Sequence, residues 1–137
     1  MLTTHCLCTK LRRAARSVTR IYDDALRDLG LNVAQYSLLS HLQRLEQPSI
    51  SALAEAMGLD RSTLGRNLKV LEGEGLVRVG EGSDMRSRLV LLTDEGLSRF
   101  QRGAAAWEEA QAQVALRLGA EKREALWLLL DDLETID

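Results

Sequence analysis

The sequence predicts a mainly α-helical chain with one small β-hairpin, and three observations predict it. Apolar residues recur at alternating spacings of three and four along both ends of the 137-residue chain. Pro48 is the only proline and aromatics are 4% of residues, a composition that disfavours a sandwich of short strands. The period changes after Gly75, where two short β-branched and apolar runs flank a polar connection.

Leu7, Leu11, Ala14, Val18, Ile21, Ala25 and Leu29 form the stripe of a first long helix, which Gly30 closes in the left-handed conformation. Asn32 with Gln35 three residues on is a capping-box start for a helix carrying Val33, Tyr36, Leu39 and Leu42, broken by Pro48. Ser51 is expected to cap a short helix, Ala52 to Met57, ended by Gly58. Asp60 is expected to cap the next, Arg61 to Glu72, which stops at Gly73. Strands are expected at 76–79 and 89–92, followed by Thr93 as an N-cap with Asp94 and Glu95 at the positive end of a helix dipole. Leu97, Phe100, Ala104, Trp107, Gln111, Val114 and Leu118 continue that helix. Gly119 breaks it, and a final helix carries Leu126, Leu129, Leu130, Leu133 and Ile136. The end helices have longer apolar stripes than a small central module can cover, so two chains are expected to associate through them.

With 45% hydrophobic and 28% charged residues, the composition excludes collagen-like, disordered and membrane-embedded classes. The first ten residues do not read as a secretory signal. Two cysteines, spaced as Cys6-Leu7-Cys8, are too few and too close for a disulfide framework, and a reducing cytoplasm is the expected location. The net charge of −2 conceals an uneven distribution: residues 61–103 hold eight basic against six acidic side chains, whereas 104–137 hold three against eight. An acidic tail therefore masks a mildly basic middle.

Short helix, glycine turn, second helix and hairpin is the order of a winged helix-turn-helix. On the second helix Leu64, Leu68 and Leu71 form the core stripe. The opposite face holds Ser62, Arg66 and Lys69 with Thr63 and Gly65 beside them, donors suited to base edges and phosphates. The hairpin tip adds Asp84, Arg86 and Arg88; an arginine there suits a narrow minor groove, and a carboxylate pre-orients it.

These residues resemble the multiple-antibiotic-resistance regulator (MarR) family over nearly the whole chain. The resemblance is carried by Leu53-Ala54-Glu55-Ala56-Met57-Gly58-Leu59-Asp60-Arg61-Ser62-Thr63-Leu64, Leu71-Glu72 with Gly75-Leu76-Val77, Asp84-Met85-Arg86-Ser87-Arg88 and Leu92-Thr93-Asp94-Glu95-Gly96. It implies a single domain over 1–137, with dimerisation helices in 1–30 and 94–137 and a DNA-binding lobe over 32–93. It further implies a homodimeric repressor on a pseudo-palindromic double-stranded DNA operator, not an enzyme. Ser62, Thr63, Arg66 and Asn67 take the family's recognition-helix positions, and Asp84 and Arg86 its wing positions. Gly65 departs from the pattern, which usually has a larger polar residue there.

Several readings of the effector stay open. Cys6 and Cys8 read as packed apolar groups, as redox centres, or, with His5, as weak soft metal ligands. The segment from Leu7-Cys8 through Gln35-Tyr36 is similar to the organic-hydroperoxide-sensing branch of the family. That similarity implies a peroxide-reactive Cys8, with Tyr22 helping to hold its thiolate and Cys6 as one candidate resolving partner. Arg12 stands where the branch has a second tyrosine. A phenolic or other aromatic ligand between the dimerisation helices and the DNA-binding lobe is the other effector the family implies. Trp107 and Trp127 are expected to pack the dimer, and His41 to pack half-buried on its helix. No cofactor motif and no paired acid–base set emerges. The different-class reading, a thiol-dependent peroxidase, lacks a positioned base and a distant resolving cysteine.

Overall fold

A computed structural model describes residues 3–81, 84 and 87–135. The chain runs α1 (Leu7–Leu26), a 3-10 turn (Arg27–Leu29), α2 (Val33–Arg44), α3 (Ile50–Met57), α4 (Arg61–Gly73), β1 (Val77–Val79), β2 (Val90–Leu92), α5 (Asp94–Leu118) and α6 (Ala120–Glu134). It is the helical chain with one hairpin that the periodicities predict. The first helix ends a turn earlier than its apolar stripe: the chain tightens to 3-10 geometry before Gly30, whose φ of 70° lets its N–H reach the Arg27 carbonyl.

The capping box forms in both halves. Asn32 Oδ1 accepts from Gln35 N at 2.9 Å, and Gln35 Oε1 accepts from Asn32 N at 3.0 Å. At α3 the expected cap moves two residues back, from Ser51 to Ser49, whose hydroxyl accepts from Ala52 N at 3.1 Å. The cause is tertiary. Ser49 is extended and bridges Leu89, while Ile50 N donates to Arg88 O and Val90 N to Pro48 O, so the hairpin fixes where the helix begins. Gly58 (φ 65°) closes α3. Asp60 caps α4 as expected, and the helix runs one residue further than expected, through Gly73.

β1 and β2 pair antiparallel in the register Val77↔Leu92, Arg78↔Leu91 and Val79↔Val90. Thr93 joins this hairpin to α5: its hydroxyl donates to Gly75 O at 2.7 Å and accepts from Gly96 N at 3.0 Å. Thr93→Ala is expected to lose about 1–2 kcal/mol in urea unfolding, from the lost cap and the orphaned carbonyl. An unchanged midpoint would contradict that role.

The core lies within the helix-turn-helix lobe. Leu26, Leu38, Leu39, Leu53, Leu64, Leu71, Leu76, Val77 and Val90 are fully buried, drawn from the end of α1, from α2 to α4 and from the hairpin. Tyr36 couples this lobe to α5, with its ring centroid 5.1 Å from that of Phe100 and 6.2 Å from that of Trp107. Gly103 permits the approach, since a Cβ there would sit 3.1 Å from Tyr36 Cε2.

The end helices are different. α6 buries no residue within the chain, and α1 buries only Leu26. Leu7, Leu11, Val18, Leu126, Trp127 and Leu130 are exposed. The accessible surface is 9806 Å², against about 7,100 Å² for a compact monomer of this mass. The excess lies in the range that permanent dimers cover.

Candidate nucleic-acid interface

α4 presents its functional face because Leu64, Leu68 and Leu71 commit the other face to the core. Ser62, Arg66 and Lys69 are exposed, while Thr63 and Asn67 are half-buried. Asp60 organises the helix start: Oδ1 accepts from Thr63 N at 2.7 Å and Oδ2 from Thr63 Oγ1 at 3.1 Å. The Thr63 amide, then its hydroxyl, with smaller help from Ser62 and Arg66, hold the Asp60 carboxyl below the usual carboxylate range. This cap is therefore present at neutral pH and is lost only as pH falls through the lowered value. Arg66 Nη2 donates to Thr63 Oγ1 at 3.4 Å, so the Thr63 hydroxyl positions its neighbours in the free chain.

Gly65 lies mid-helix at a cost of about 1 kcal/mol relative to alanine. A Cβ there would meet nothing within 4 Å, so packing does not demand the glycine. Beside it, a cleft of about 410 Å³ separates α4 from the hairpin, with Arg88 on its far wall. The sequence places Arg88 at the wing tip; the structure places it instead against the start of α3, where its carbonyl accepts from Ile50 N at 2.9 Å. In the connection between the strands, Asp84 Oδ1 accepts from Ser87 N at 3.0 Å. Arg86, and with it the expected Asp84–Arg86 pairing, lies outside the described residues, as does Ile136.

Both cysteines are free and exposed, so neither packs as an apolar group within this chain. Cys6 occupies the N-cap of α1 in extended conformation, and Cys8 sits in the first turn. The Thr9 hydroxyl, the Thr9 amide and the Cys8 amide lower the Cys6 thiol from its ordinary value. Tyr22 shares α1 with Cys8, fourteen residues on, or about 21 Å along the axis. Its hydroxyl instead donates to Gln111 on α5, and burial, opposed by Arg123, raises its pKa. Within one protomer, then, Tyr22 does not hold the Cys8 thiolate; a helix of that length keeps them apart. Among the described residues no three His, Cys, Asp or Glu side chains gather for a metal ion, so His5 is not brought onto Cys6 and Cys8.

The sequence names no ligand pocket, but a cavity of about 470 Å³ opens between α1, α2 and α5. Phe100, Trp107 and Tyr36 supply aromatic walls, and His41, Arg44 and Ser40 supply polar groups. His41 is half-buried, as expected, with Nδ1 2.7 Å from Ser37 O, an arrangement in which Nδ1–H donates. The missed signal was the polar face Ser37, Ser40, His41 and Arg44 on α2, whose helical spacing turns toward α1 and α5.

The fold and this face define a helix-turn-helix with a β-hairpin wing, held between two long helical ends. The model of the MarR family matches residues 29–87. The organic hydroperoxide resistance transcriptional regulator of Bacillus subtilis (strain 168) is 34% identical over 91 residues, covering 66% of this chain and 62% of its own length. The HTH-type transcriptional regulator YdgJ of the same organism is 31% identical over 98 residues, covering 71% and 60%. The chain thus spans less than two thirds of the length of these two curated relatives. The M. tuberculosis transcriptional regulator MosR, solved in complex with DNA, is 36% identical with a TM-score of 0.81, covering 95% of this chain and 97% of that one. This chain belongs to the MarR family, with its winged helix-turn-helix fold.

Proposed function

We propose that this protein is a homodimeric, sequence-specific DNA-binding transcriptional repressor. The observation that carries the reading is the outer face of α4, where Ser62, Arg66 and Lys69 stand beside a hairpin and a cleft walled by Arg88. Asn67, Asp84 and Arg86 complete the proposed DNA-binding set, with Thr63 acting from the helix start. In MosR the same fold has been solved in complex with DNA, which supports the reading. The exposed apolar faces of α1 and α6 support the dimer; a groove of about 400 Å³ between α1, α5 and α6 is lined by Leu11, Val18, Leu118, Leu126 and Leu130. A two-fold dimer sets its α4 helices in successive major grooves, on half-sites about 10 bp apart.

Release follows oxidation in the Cys6–Cys8 segment. The thiolate attacks the outer oxygen of an organic hydroperoxide, the O–O bond breaks, and the alkoxide takes up a proton and leaves as an alcohol. The cysteine is left as sulfenic acid. Cys8 is the residue that similarity to the peroxide-sensing branch favours. Cys6, equally free and exposed at the N-cap, is the second candidate, and a Tyr22 contact requires the partner subunit. A relative named as an organic hydroperoxide resistance regulator supports this trigger. A second reading, release by an aromatic ligand, is favoured by the cavity beside Phe100, Trp107 and Arg44.

The test is fluorescence anisotropy on the DNA upstream of its own gene, at one stated salt concentration. Reduced protein is compared with protein given one equivalent of cumene hydroperoxide. Tight, competitor-resistant binding is expected, lost on oxidation and restored by a thiol, and insensitive to peroxide once both cysteines are serine. Binding that peroxide leaves untouched but a hydroxybenzoate weakens would transfer the effector to the cavity. No preference over competitor DNA would reject the repressor.

A further inference from the structure

The cleft between α4 and the hairpin has a character that folding does not require. Its floor is apolar, from Ile50, Leu68 and Val79, and its rim carries Arg66, Lys69 and Arg88. Arg88 Nε is buried with no hydrogen-bond partner among the described residues. Arg88 as a whole is only half-buried and lines the cleft, so the rest of its side chain is within reach of a group that enters it. The one carboxylate on the rim, Glu72, is turned toward β1, where Oε2 accepts from Val79 N at 3.4 Å. Gly65 lines the same cleft and leaves it open without any packing reason to be glycine.

An aliphatic floor beneath a cationic rim matches one chemical unit of DNA in particular. The carbon face of a deoxyribose lies on apolar side chains, and its phosphate meets guanidinium and ammonium groups. Position agrees with chemistry: when α4 enters a major groove and the hairpin the adjacent minor groove, the backbone strand dividing those grooves must cross between them. We infer that this cleft seats one deoxyribose–phosphate of that strand, with Arg88 donating to the phosphate and Gly65 setting how closely the strand approaches. Arg88 is then a positioning contact that fixes the register of α4 on the duplex, and not a base reader. The inference rests on the DNA-binding reading above.

The experiment uses the full-length protein and the duplex footprinted upstream of its own gene, with each phosphate replaced in turn by a neutral methylphosphonate. For the native sequence, one position per half-site is expected to weaken binding about tenfold. The same replacement is expected to cost Arg88→Gln less than about twofold, and that variant should lower the salt slope by about one charge per half-site. Gly65→Leu is expected to keep or raise the melting temperature, because leucine is the better helix former, while weakening binding at least about tenfold. Strictly additive losses for Arg88→Gln at every methylphosphonate position, or native affinity in Gly65→Leu, would overturn the seat. Wild-type protein that binds no duplex overturns the DNA reading and the seat together. Specific binding with additive losses removes the seat alone.

Discussion

Gly96→Ala is expected to destabilise the protein by about 3 kcal/mol, lowering the melting temperature by about 10 °C. Gly96 is buried in the first turn of α5, where a Cβ would lie 2.1 Å from Leu76 O and 2.8 Å from Leu92 Cδ1. The first of these is backbone, held by the Leu76 carbonyl's bond from Thr93 N at 3.1 Å, so it cannot swing aside as a side chain tip would. The added methyl must push α5 away from the hairpin and with it disturb the Thr93 cap. Scanning calorimetry checks this, and a melting temperature within about 2 °C of wild type would show that the helix start gives way at little cost.

The second large effect concerns the ends of the chain. Leu126→Asp combined with Leu130→Asp places two carboxylates in the apolar groove between α1, α5 and α6. Neither leucine is buried within one chain, at 40% and 37% exposed, so the isolated protomer keeps its helical content. Burying those charges against a second chain costs several kcal/mol. The variant is expected to elute near 15.2 kDa, and the parent, as the proposed dimer, at about twice that mass. Affinity for DNA should fall at least about a hundredfold as two linked half-site contacts become one. A variant that remains a dimer would place the interface elsewhere and reassign the surplus apolar surface.

Helix identity was legible because it is written locally. Asn32–Gln35, Asp60 and Thr93 each satisfy backbone amides within three residues, and Gly30 and Gly58 take positive φ where the helices close. The outward face of α4 could likewise be read from the leucine spacing that fixes its inward one. What escaped involves partners distant in the chain. Ser49 replaced Ser51 as a cap because Leu89, forty residues away, holds it extended. Arg88 left the wing tip for the α4 cleft for the same reason. The ligand-sized cavity depends on how α1, α2 and α5 meet around Tyr36, which no single helical stripe encodes.

The cysteines show the division most plainly. By itself the sequence determined the helices, their caps, the turn–helix–hairpin order and the face that carries Ser62, Arg66 and Lys69, because periodicity and capping are short-range. Only the tertiary structure decided that Cys6 is an exposed N-cap whose thiol is lowered by Thr9, that Tyr22 spends its hydroxyl on Gln111 far from Cys8, and that Arg88 Nε is buried with no partner among the described residues. Those facts depend on which groups are brought within a few ångströms of one another, and that is set by packing between elements.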